Sequence, residues 1–92
     1  GLARLLQKRL SRLGYQVEIA TSGEEGLERY KSGRFDAVLV DYYLPGMLGM
    51  DVIRAASPHA LSAPFILLTA AGDEKIAVEA FYHGAADYLV KD

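Results

Sequence analysis

The chain contains no cysteine, which excludes a disulfide framework and any metal held by thiolates. Its longest strongly apolar run, around Pro64–Ala71, falls far short of the ~20 residues that a membrane-spanning helix needs. The first residues show no succession of basic, apolar and cleavage regions, so no signal peptide is read there. Charge of neither sign dominates: the formal net charge is −2, and no stretch has the basic density of a nucleic-acid footprint. No G-x-G-x-x-G or P-loop pattern follows a strand, which counts against a dinucleotide- or nucleotide-binding enzyme. Internal repeats and low-complexity segments are absent too.

What remains is a small folded unit. Ninety-two residues allow one domain, and at 51% hydrophobic the composition supports a packed core rather than disorder. Leu2, Leu5, Leu6, Leu10 and Leu13 recur at helical spacing between Arg4, Lys8, Arg9 and Arg12, and Gly14 stands where that helix should stop. Alternation of Tyr15, Val17 and Ile19 with polar residues predicts a short strand over Tyr15–Ala20. Ser22 and Glu25 make a capping-box pattern that opens a helix to about Lys31, ended by Gly33. Asp36-Ala-Val-Leu-Val-Asp41 reads as a strand covered on both faces. Pro45, Gly46 and Gly49 make Tyr42–Gly49 a loop before a helix from Met50 to Ala56. Pro64–Thr69 reads as a second buried strand. A helix capped by Asp73 and closed by Gly84 leads to a third apolar strand, Ala86–Val90.

Strict alternation of helix and strand implies right-handed crossovers and a parallel sheet with helices on both faces. In such sheets function gathers at the carboxyl ends of the strands. Those ends are Asp41, Thr69 and Lys91: a carboxylate, a hydroxyl and an ammonium. Each alone is ordinary, as a turn residue, a β-former and a solvated surface charge. Together at three successive strand ends they suit phosphoryl transfer, with aspartate as nucleophile and lysine as a point charge for a phosphate oxygen. His59 reads as a loop residue and His83 as the end of a helix, distant in sequence, and with no cysteine a transition-metal site is not expected.

At this point the chain resembles the receiver domain of two-component response regulators. The resemblance rests on Ala37–Asp41 with the loop Tyr42-Tyr43-Leu44-Pro45-Gly46-Met47-Leu48-Gly49, on Ile66-Leu67-Leu68-Thr69-Ala70, and on Gly84-Ala85-Ala86-Asp87-Tyr88-Leu89-Val90-Lys91. It implies a flavodoxin-like, doubly wound α/β/α sandwich of strand order 2-1-3-4-5, an order taken from the family and not from these residues. It further implies that Asp41 takes a phosphoryl group from a histidine kinase or phosphotransfer protein, and that Thr69 and Lys91 bind that group. Asp41 and the backbone carbonyl of Tyr43 would ligate Mg²⁺, and Tyr88 would be the aromatic that moves when Thr69 does. The domain would be a cytoplasmic switch, with no enzymatic turnover beyond its own aspartate and with no direct contact to nucleic acid or membrane.

Against the family pattern, residues 1–92 read as a receiver incomplete at both ends, without the first strand, its metal-binding acidic pair, or the last helix. An edge left open there would favour a homodimer or a strand-swapped oligomer. Leu48 stands where an Asp or Asn commonly precedes the glycine, with Gly49 still permitting positive φ. Asp92 stands where proline is frequent, so no cis peptide is expected. The alternative reading is a receiver-like interaction module that takes no phosphate.

Overall fold

Phe65–Thr69 forms the middle strand of the sheet, and its burial explains its place. Phe65, Leu67 and Thr69 are almost wholly buried, and β-branched and aromatic side chains of this kind pack well on a pleated surface. A computed structural model describes residues 2–57, 63–70 and 74–91. In chain order the elements are α1 (Leu2–Arg12), α2 (Gly23–Ser32), β1 (Val38–Asp41), β2 (Tyr43–Leu44), β3 (Met47–Leu48), α3 (Gly49–Ala56), β4 (Phe65–Thr69), α4 (Glu74–Tyr82) and β5 (Asp87–Val90). β4 pairs in parallel with β1 and with β5, giving the order β1-β4-β5. That is the adjacency expected of the last three strands of a flavodoxin-like sheet.

One face of the sheet is well covered. Val40, Phe65 and Leu67 pack with Met50, Val52, Ile53 and Ala56 of α3 and with Ala80 of α4. The small Ala77 and Ala80, both buried, let α4 come close to the strands. From α2, Tyr30 sets its ring edge-on to Phe65 at 5.0 Å, an arrangement that adds to simple area burial. α2 opens as its sequence predicts, with Ser22 Oγ accepting from the Glu25 N–H at 3.2 Å. Gly14 and Gly84 lie just past the ends of α1 and α4 with positive φ.

The other face corrects two expectations. Leu39 is 40% exposed and Leu89 50%, so neither β1 nor β5 is covered on both sides. No strand is present at Tyr15–Ala20. A strand is a pairing of backbones, and among the described residues none lies beside this segment. Between it and β1 runs a cavity of about 180 Å³, lined chiefly by Leu2, Leu6 and Leu10 of α1, Val17, Ile19 and Leu39. α1 accordingly buries no residue fully, despite its leucine stripe.

The acceptor-side loop also differs from expectation. Tyr42–Gly49 contains a small antiparallel hairpin, pairing Tyr43 with Leu48 and Leu44 with Met47 around Pro45-Gly46. Gly46 has φ +82°, the conformation that the residue after proline takes in a type II turn. Gly49 does not have positive φ; it begins α3, one residue earlier than the sequence indicates. Asp73, His59 and Asp92 lie outside the described residues. His83 Nε2 stands 3.9 Å from Glu79 Oε1.

α3 has no side-chain cap at Leu48. Asp51 satisfies the N-cap residue's own N–H: its Oδ2 takes the Leu48 N–H at 3.0 Å, and Oδ1 takes the Arg54 guanidinium. The backbone N–H first, and the guanidinium second, hold the Asp51 carboxyl below the usual aspartate range. A carboxyl lowered on folding stabilises above its unfolded value, about 3.9, and that contribution is lost as pH falls through the lower folded value. Asp51→Asn should therefore flatten part of the acid limb of the stability–pH curve, measured by urea unfolding between about pH 2 and 5. An unchanged acid limb would show that the cap contributes nothing to stability.

Candidate functional site

All three parallel strands deliver their carboxyl ends to one edge, and the ladder stays closed up to that edge. The Tyr42 N–H donates to the Leu68 carbonyl at 2.8 Å, and the Lys91 N–H to the Thr69 carbonyl at 2.8 Å. Register pairs Asp41 with Leu68 and Thr69 with Val90. Main-chain positions at the edge are thus fixed before any side chain is considered.

Asp41 and Lys91, fifty residues apart in sequence, meet there. Lys91 Nζ donates to Asp41 Oδ1 at 2.9 Å and to Oδ2 at 3.0 Å. Both side chains are 31% exposed, open to a reactant but no longer fully solvated. Pairs this exposed contribute at most about 1 kcal/mol, so the contact matters more for position than for stability. The Tyr43 N–H also donates to Asp41 Oδ1, at 3.2 Å. The hairpin then folds back, and the Gly49 N–H donates to the Tyr42 carbonyl at 2.7 Å. The carboxylate is therefore gripped by β5 across the sheet and by its own loop.

Thr69 ends β4 at the same edge with 1% exposure. Its main-chain link to Lys91 ties the hydroxyl-bearing residue to the ammonium-bearing one. Tyr88, opposite Leu67 in the ladder, is half-buried against the core and edge-on to Phe81 of α4 at 6.0 Å. Its ring thus touches the helix that follows Thr69. Tyr43 is 68% exposed, and its ring packs edge-on to Tyr42.

The Asp41 carboxylate and the Tyr43 carbonyl are hard oxygen donors of the kind Mg²⁺ prefers. Among the described residues no three His, Cys, Asp or Glu side chains cluster as a metal site. Residue types and spacing point to Asp41, Thr69 and Lys91, and the structure brings the first and last into contact. They do not point to the Tyr43 N–H or to Gly49, because main-chain contacts leave little trace in residue identity. Asp51 does leave a signal, an acid at the third helical position, which is a known capping pattern.

The sequence profile of the response regulator receiver domain matches residues 1–92. LuxO, a luminescence regulatory protein of Vibrio campbellii, is 37% identical over 90 residues, which are 98% of this chain and 20% of that protein. The response regulator TrrA of Thermotoga maritima, solved in complex with Mg²⁺ and BeF, superposes with a TM-score of 0.86 at 32% identity, covering 99% of this chain and 77% of that one. A response regulator of Burkholderia pseudomallei, solved with a phosphorylated aspartic acid, a calcium ion and citrate, gives a TM-score of 0.89 at 30% identity, covering 98% of this chain and 53% of the other. The chain spans about a fifth of the length of LuxO. No helix among the described residues is long and apolar enough to cross a membrane. By sequence and by fold, the chain belongs to the response regulator receiver domain family, the phosphoacceptor switches of two-component signalling.

Proposed function

We propose that Asp41 is the phosphoacceptor and that a phosphohistidine on a histidine kinase or phosphotransfer protein is the donor. The observation that carries this reading is the Lys91 ammonium set against both Asp41 oxygens at the carboxyl edge of the sheet. One carboxylate oxygen attacks phosphorus, an O–P bond forms as the donor's N–P bond breaks, and the imidazole leaves with the electron pair. Such transfers rest on positioning and charge stabilisation, which are what Lys91, the Tyr43 N–H and the fixed strand end provide. Lys91 transfers one of its contacts from the carboxylate to a phosphoryl oxygen, and Thr69 donates its hydroxyl to another.

Mg²⁺ would take oxygens from Asp41 and from the Tyr43 backbone carbonyl, and would offset charge between carboxylate and phosphoryl group. Two relatives support this: one solved with Mg²⁺ and BeF and one with a phosphorylated aspartic acid and a calcium ion. The only covalent chemistry assigned to the domain is the gain and loss of its own acyl phosphate. A kinase donor draws on nucleotide triphosphate, so the proposed setting is the cytoplasm.

The switch is read out through Thr69 and Tyr88. As Thr69 moves toward the phosphoryl group it vacates space that the Tyr88 ring can enter, and Tyr88 contacts Phe81 of α4. This is a shift between two packings of one fold. The unpartnered outer edge of β1 among the described residues supports self-association, as a homodimer or strand-swapped oligomer.

Asp41→Asn is expected to abolish labelling by acetyl phosphate or a phosphohistidine donor while the circular dichroism spectrum stays unchanged. Labelling that persists puts the acceptor elsewhere; a wild-type chain that takes no label favours a pure interaction module. Thr69→Ala should keep labelling within a few-fold but lose the change in Tyr88 ring NMR signals on adding beryllofluoride and Mg²⁺. A wild-type Tyr88 response in that variant would remove Thr69 from the coupling. Sedimentation across a hundredfold concentration range should show a mass that rises above that of a single chain, and a monomer throughout would refute self-association.

A further inference from the structure

Gly49 has no backbone reason to be glycine. Among the described residues three glycines take positive φ, Gly14, Gly46 and Gly84, and Gly49 is not among them. Its reason is space. A Cβ on Gly49 would lie 2.3 Å from the carbonyl oxygen of Asp41, 3.0 Å from its carbonyl carbon and 3.0 Å from Val40 Cγ1. The first contact is with main chain, so no side-chain rotation relieves it.

Neither partner has slack. Gly49 is held by its N–H on the Tyr42 carbonyl at 2.7 Å, and α3 behind it is anchored by Met50, Val52 and Ile53, all buried. Asp41 follows Val40 in a strand whose backbone is paired residue by residue with β4. A Cβ at Gly49 would force the two apart, and whatever part of that shift falls on the strand end displaces Asp41. Its displacement would carry the Asp41 carboxylate away from Lys91.

We infer that Gly49 is a positioning residue for the acceptor: its bare α-carbon seats the main-chain carbonyl of Asp41 and so sets where the carboxylate stands relative to Lys91 Nζ. The inference rests on Asp41 as phosphoacceptor for its functional meaning, and on the geometry alone for its structural content. A shift of about 1 Å at a reacting group can cost about a hundredfold in rate, so a methyl group here should matter far more than its volume suggests.

The test uses the whole chain and two readouts. The first, independent of phosphorylation, is the change in the Asp41 ¹³Cγ NMR shift when Lys91→Ala is introduced. That change should be clear in the wild-type background and less than half as large in Gly49→Ala, where the pair is already loosened. The second is labelling by acetyl phosphate, which should fall at least about tenfold in Gly49→Ala. Met50→Ala is the control for stability alone: it removes a buried side chain from the same helical turn and leaves the α-carbon of Gly49 bare. It should keep both the Lys91 signature and the labelling rate. The inference is overturned by a Gly49→Ala chain that retains the full Lys91 signature, by a Met50→Ala chain that loses it equally, or by a Gly49→Ala chain that does not fold. A wild-type chain that takes no label would count against Asp41 as acceptor, while the NMR readout would still decide the role of Gly49.

Discussion

The parallel register of Phe65–Thr69 against its two neighbours is the constraint from which the rest of the site follows. Because Asp41 pairs with Leu68 and Leu68 with Leu89, Lys91 leaves the sheet at the same edge, two residues past the level of Asp41. A slip of one residue would turn the buried face of each strand outward. Burial of Leu67 and Phe65 against α3 therefore fixes where a lysine can reach. The ion pair between Lys91 and Asp41 is a consequence of that packing, not a cause of it, since pairs so exposed contribute little energy.

Around this framework the acceptor loop shows several small devices acting on one carboxylate. Pro45 and Gly46 turn the chain so tightly that Tyr43 and Leu48 pair. The Tyr43 N–H points back to Asp41, the Gly49 N–H to the Tyr42 carbonyl, and Asp51 takes the Leu48 N–H. Leu48 has no side-chain acceptor for the first turn of α3, and Asp51, three residues later, binds the Leu48 N–H. At this departure from the family pattern the Leu48 N–H keeps a partner. Preorganisation of this sort suits a reaction whose catalysis depends on placement and charge.

The two faces of the sheet differ in how firmly they are held. Toward α2, α3 and α4 the packing is close and continuous, and Tyr88 joins it from β5. Toward α1 the strands border a cavity, and Leu39 and Leu89 remain partly exposed. Thr69 is buried at the end of the strand that carries Phe65 and Leu67, and Tyr88 stands in register with Leu67, where a change of side-chain position must be met by a change in a neighbour. That gives a physical route from the sheet edge to α4.

Much of this was legible in the residues themselves. Leucine spacing, the Ser22–Glu25 cap, the apolar runs at 36–41 and 64–69 and the glycines after α1 and α4 specify local structure, because propensity, capping and periodicity are local physics. Helix–strand alternation led to a parallel sheet and so to Asp41, Thr69 and Lys91 at its edge. The residues alone did not decide which segments pair. Tyr15–Ala20 has the alternation of a strand and forms none, because pairing needs a neighbour with free backbone groups on that side. Nor did they reveal the hairpin within Tyr42–Gly49, a contact too short to leave a periodic pattern. The role of Gly49 was misread as conformational freedom, since a missing Cβ looks the same in sequence whether it serves φ or space. Only the tertiary structure, by bringing the start of α3 against the carbonyl of Asp41, showed that the reason is space.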